Sequence, residues 1–332
     1  MESKSKTLTG TPPRLMNSVV AGFNTVAGHI QLILIPLLLD IFLWFGPHLR
    51  VNDLFKPVIN EWMNSVMQMG SADMTQLVVE NRKVFQELFQ SLNLFSLVRT
   101  WPIGVPSLIA PLGAMDTPFG AAPIQEITTI RMAFLAWLGI LVLGIVIGSL
   151  YFLAVAFFSA DTRPQPSVKW ALKGIIQTFS LTIAVLIALI ALMIPAALVL
   201  SVSAMISPGI AQIILLVITF FMLWSVLPLV FSPHGIFSYG QSALVSILTS
   251  ARLVRHFMPG TGMFVLILIL LSEGLDVVWR AAPSNSWMTL VGIAGHAFVT
   301  TSLVAASFIY YQGGMRWMQE NSQPAPVKTR GA

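Results

Sequence analysis

GMFVLILILLSEGLDVVWR, residues 262–280, decides how the chain is read: an apolar run long enough to enter a membrane, ending on Glu273, Asp276 and Arg280. Its charges fall where lipid would oppose them. The whole 332-residue chain has the same character, with 56% hydrophobic and 9% charged residues and a mean hydropathy of +0.81. Soluble domains carry about 25% charged residues, so the composition is that of an integral membrane protein. The absence of cysteine excludes disulfides, thiolate metal sites and cysteine nucleophiles. A net charge of +5 fits basic residues gathered in cytoplasmic segments; no nucleic-acid-binding module is visible, so nucleic acid is not an expected partner.

Working outward from 262–280 gives an all-α polytopic membrane helix bundle with six transmembrane helices arranged as three hairpins. Residues 1–29 are read as a cytoplasmic tail followed by an interfacial helix, in which Leu15, Met16, Val19, Val20, Phe23, Val26 and Ala27 share one face. Residues 30–49 supply the first span, an uncleaved one, because no small-residue cleavage site follows the apolar run. The further spans are Met132–Ser159, Gly174–Val202, Ile210–Phe231, residues 262–280 and Trp287–Tyr311, with an amphipathic interfacial helix at 241–257 and a cytoplasmic tail at 312–332.

Between the first two spans lies a hydrophilic region, 50–131, carrying six basic and seven acidic residues. Two helices, Asp53–Met69 and Asp73–Val98, would form a small extracytoplasmic cap. In the second, Val78, Phe85, Leu88, Phe89, Leu92 and Phe95 make an apolar stripe. The following segment, WPIGVPSLIAPLGAMDTPFGAAP at 101–123, is largely apolar, yet its prolines and glycines forbid a regular helix. Irregular backbone facing lipid leaves polar groups unsatisfied, so this segment is expected on the membrane surface or against the bundle.

The short loops set the orientation. Arg163, Lys169, Lys173, Arg252, Arg255, Arg316, Lys328 and Arg330 fall on the side of Lys4, Lys6 and Arg14, whereas the opposite short loops hold Arg280 alone. The positive-inside rule then predicts both termini in the cytoplasm and the cap outside.

An ionisable group inside a span is a functional candidate by default, since an Asp at a helix centre costs roughly 2.5–3.5 kcal/mol on insertion scales. Asp40, Glu273 and His296 lie at similar depth on three different spans, with Asp276 and Arg280 continuing the face of Glu273. Two readings stay open. Either Asp40, Glu273 and His296 line one polar cavity for a proton, a cation or a polar head group, or Arg280 neutralises Asp276 at the interface while Glu273 bonds backbone. Asp40 could instead orient groups around a kink at Pro36, and His296, among the small residues of GIAGHAF, could be a packing residue. Gly144 and Gly148, spaced as GxxxG, are expected at a close helix crossing. The sequence shows no G-x-S-x-G, no P-loop, no H-E-x-x-H and no dinucleotide fingerprint, so neither enzyme activity, cofactor nor metal is expected.

ALVSILTSARLVRHFMPGTG at 243–262, leading into a span, and AASFIYYQGG at 305–314 resemble the bacterial six-span proteins related to the membrane domain of glycerophosphodiester phosphodiesterases. The layout is also similar to permease subunits of ABC exporters. The first resemblance implies a six-span bundle; no phosphodiesterase domain accompanies it, so that activity does not carry over. The expected function is a transport-related or lipid-interacting membrane component without its own ATPase. Its expected partners are membrane lipids and either a protein at the external cap or a separate ATPase subunit. The alternative is a structural or assembly factor that binds a partner through the cap.

Overall fold

The computed structural model describes residues 13–69, 90–113, 115–160 and 167–322. Ten α-helices occur among them: α1 (Leu15–Gly28), α2 (Leu34–Phe45), α3 (Asn52–Met69), α4 (Ile130–Phe158), α5 (Val168–Ile206), α6 (Pro208–Val226), α7 (Ser232–Tyr239), α8 (Ala243–His256), α9 (Met258–Trp279) and α10 (Met288–Ser322). Among the described residues, five stretches are long and apolar enough to cross a membrane, or six if α1 and the helical run Ile30–Phe45 count as one broken span. The protein is thus a polytopic helical membrane protein. Among the described residues, strands are confined to two small pairs: β1 (His48–Arg50) runs parallel to β4 (Ile124–Glu126), and β2 (Asp116–Thr117) antiparallel to β3 (Gly120–Ala121).

Several boundaries differ from the sequence reading, each for a local reason. The third span begins at Val168 rather than Gly174, because the Ser167 hydroxyl accepts a hydrogen bond from the Trp170 N–H and caps an earlier start. Beyond Phe231, the expected end of the fourth span, residues 232–239 form helix α7; Pro233 sits in its first turn and Gly240, at φ +61°, ends it in the left-handed conformation. The last helix runs to Ser322, well past Tyr311, so the expected tail begins as helix. Most of the expected cap helix Asp73–Val98 lies outside the described residues. Its end is corrected: Asn93 uses its side-chain oxygen to accept from the N–H groups of Leu49 and Phe95, and Leu94–Val98 is a 3₁₀ turn.

The chain divides into two compact units. The first comprises residues up to His29, 152–270 and from 302 onward. Its centre is aromatic: Phe231, Phe237, Phe264, Phe308, Tyr310 and Tyr311 are all fully buried, and Phe264 stacks on Tyr310 with ring centroids 4.0 Å apart. Stacked pairs of this kind add about 0.5–1.5 kcal/mol beyond the area they bury. Helix α1 packs against α10 at Gly22, where a β-carbon would collide with the Ser302 carbonyl and Ala306.

The second unit comprises 30–151 and 271–301. The irregular apolar segment lies against the bundle here, one of the two places the sequence allowed it: Ile103, Val105, Leu108 and Ile109 are buried. Gly144 and Gly148 make room for it. A β-carbon on Gly144 would sit 2.5 Å from the Val98 carbonyl oxygen and 2.6 Å from Thr100 Cγ2, and one on Gly148 would sit 2.8 Å from the Ile103 carbonyl oxygen. The GxxxG pair therefore serves as a seat for non-helical backbone, which corrects the expected helix crossing.

That geometry separates glycines on the same helix. Gly144→Ala is expected to destabilise the protein by about 1–3 kcal/mol, the usual cost of overpacking. Gly139→Ala, with nothing within 4 Å of the new β-carbon, should stabilise by about 0.5–1 kcal/mol through helix propensity. Denaturant unfolding in detergent, followed by tryptophan fluorescence, measures both.

Candidate functional site

Asp40 sits on α2 four residues after Pro36 and has no exposed surface. Its carboxylate accepts hydrogen bonds from the Ser107 hydroxyl, from Leu108 N–H at 2.9 Å and from Ile109 N–H at 3.2 Å. Ser107 Oγ in turn accepts from Ala110 N–H at 2.9 Å. One side chain thus pairs a turn of backbone that would otherwise present bare amides in an apolar interior. This partner answers the kink reading as well: Asp40 bonds the 107–109 turn, not the groups around Pro36.

The other charged residues meet on α9 and α10. Asp276 is 5% exposed and its carboxylate bridges two cations or donors: Oδ1 lies 2.6 Å from His296 Nδ1, and Oδ2 lies 3.1 Å from Arg280 Nη2. His296 is 4% exposed, while the Arg280 side chain is one-third exposed and reaches outward. Glycines again create the approach. A β-carbon on Gly292 would strike the Trp279 carbonyl, and one on Gly295 would sit 2.6–2.8 Å from the Trp279 ring. Small residues around His296 therefore permit the close contact that the sequence suggested, and Trp279 supplies its other wall.

Of the sequence candidates, Asp40, Asp276, Arg280 and His296 are brought into one region, with His296 in electrostatic range of Asp40. Glu273 is not. It is exposed, because the packed stripe of α9 passes through Leu268, Ser272, Asp276 and Trp279, and Glu273 lies about 100° from Ser272 around the helix. The place expected for Glu273 is filled by Asp276, about 60° nearer the packed face.

Two nitrogens at this contact are buried and have no hydrogen-bond partner: His296 Nε2 and Trp279 Nε1. With Nδ1 held by Asp276, the second imidazole nitrogen is left as a bare acceptor when the ring is neutral and as a bare donor when it is protonated. Nε2 is thus a hydrogen-bonding position for which no partner occurs among the described residues. Among the described residues no group of three or more histidines and carboxylates could hold a metal ion.

Sequence pattern alone does not single out Ser107, although its position after Pro106 marks it as a turn residue. Trp279, by its place at the end of a span, reads there as an interfacial anchor only. Comparison with family models, with curated proteins and with solved structures gave no match.

The two carboxylates should separate cleanly in a stability measurement. Asp40→Leu leaves two buried amides and a hydroxyl unpaired and should cost about 3 kcal/mol or more. Glu273→Gln should change stability by no more than about 0.5 kcal/mol, as at an ordinary exposed position. Chemical unfolding in detergent reads the difference.

Proposed function

We propose that this protein is a transport-related membrane component, without an ATPase of its own, in which the Asp276–His296 pair takes up and releases a proton. What supports the reading is one observation: His296 is fixed through Nδ1 at 2.6 Å from Asp276 while its Nε2 is buried and unpartnered. A histidine kept only for packing would be expected to have both nitrogens satisfied or one in solvent. Arg280, one-third exposed, holds the carboxylate in place and balances its charge. The distribution of Lys and Arg supports an inner-membrane orientation with both termini cytoplasmic and 50–131 outside.

A second reading draws on α3 of the cap, where Phe55, Val58 and Trp62 are all exposed and recur at helical spacing. Such a face favours a protein partner for the cap. It is compatible with the proton reading and is tested by whether a co-purifying partner is lost on Val58→Asp.

The proton reading is tested in proteoliposomes loaded with a pH-sensitive dye and given an imposed pH gradient. The wild-type protein should collapse the gradient faster than empty vesicles. His296→Gln and Asp276→Asn should each slow that collapse by about tenfold or more, the scale of losing a positioned proton-transfer group. Glu273→Gln should behave as wild type. Equal rates for wild type and both variants would sink the proposal.

A further inference from the structure

Helix α1 and the C-terminal part of α10 belong to the same unit, and between them opens a cleft of about 650 Å³. Its lining includes Pro13, Arg14, Asn17, Arg316, Trp317 and Glu320. The chemistry of that lining is unusual for a chain with so few charges. Two guanidinium groups and one carboxylate share one concavity.

The N-terminus of α1 adds to the positive side. It has no side-chain cap and no acidic residue in its first turn, so its leading N–H groups and the positive end of the helix dipole are offered to an external anion. Arg14 occupies the N-cap position itself, where helices favour negative charge. Trp317, 6% exposed, lines the same cleft and its indole Nε1–H is buried with no hydrogen-bond partner. A donor left unpaired in this way is expected to find an acceptor that the chain does not supply. Glu320 is the counterweight, a lone carboxylate on the lining.

We propose that this cleft binds the head group of an amine-bearing phospholipid of the phosphatidylethanolamine kind. The phosphate lies with Arg14, Arg316 and the start of α1; the primary ammonium lies with Glu320. Trp317 gives its N–H to a phosphate or glycerol oxygen. The apolar surface beside the cleft fits the attached chains, since Met16 and Val20 of α1 are exposed. A choline head group has the same charges but no N–H to donate to Glu320, and a glycerol head group has no cation for it. This site is separate from the Asp276–His296 pair and requires only that the chain sit in a membrane, so failure of either reading leaves the other standing.

The test is native mass spectrometry of the full chain released from nanodiscs containing equal parts of phosphatidylethanolamine, phosphatidylglycerol and phosphatidylcholine. Wild-type protein should retain phosphatidylethanolamine in clear preference to the other two. Arg14→Gln and Arg316→Gln should each lower retention of it by about fivefold, the weight of one basic residue at a lipid surface. Glu320→Gln should abolish the preference over phosphatidylcholine while leaving phosphatidylglycerol retention equal or higher. Arg252→Gln, a basic residue exposed on α8, should change nothing. The proposal is overturned if the three lipids are retained equally, if Arg252→Gln acts as strongly as Arg14→Gln, or if millimolar inorganic phosphate or glycerophosphoethanolamine displaces the lipid, which would make the ligand a soluble one. All variants alter exposed side chains; a thermal unfolding scan of each confirms that lost retention is not lost folding.

Discussion

Buried backbone amides must be paired, and at the Ser107–Ile109 turn one carboxylate meets that demand. Asp40 reaches across to the segment at Ser107–Ile109 and accepts from a hydroxyl and two amides at once. Without it, irregular chain could not be packed so deeply, because no water is at hand to satisfy the N–H groups. Leu108 and Ile109, thereby held in place, join Leu43, Trp44 and Ile293 in one apolar cluster. That cluster includes Trp279 at its edge, and Trp279 in turn forms the wall on which Gly292 and Gly295 are fitted. The helix that carries His296 thus packs, through Ile293, on an apolar cluster that includes this turn.

Glycine does a second kind of work in the same unit. In α4, Gly144 and Gly148 lower the helix surface so that the carbonyl groups of Val98 and Ile103 can approach. Loop backbone, not a second helix, occupies that surface. The same principle operates in the other unit with a helix as partner, at Gly22 against α10. One residue type therefore answers to different neighbours, and spacing along a helix does not say which.

The candidate site was partly legible. Asp40, Asp276, Arg280 and His296 stood out as charges in apolar runs, and the small residues near His296 pointed to close contact. The choice between Glu273 and Asp276 was not legible, since both lie on one broad helical face and only the packed neighbour tells which part of it is inward. Nor was the partner of Asp40, which lies 67 residues along the chain. The cleft beside Arg14 was visible only as scattered basic residues, because its two walls come from opposite ends of the sequence.

Composition and apolar run length determined that this is a polytopic helical membrane protein, because transfer into lipid acts on each segment almost independently of the others. Turn chemistry determined where regular helix was impossible, above all at 101–123, because proline and glycine restrict the backbone locally. Tertiary structure alone decided where that segment lies, which carboxylate meets His296 and what the glycines of α4 accommodate. Those outcomes are set by steric fit and by the pairing of buried polar groups between distant segments, and neither quantity is defined until the segments have been packed together.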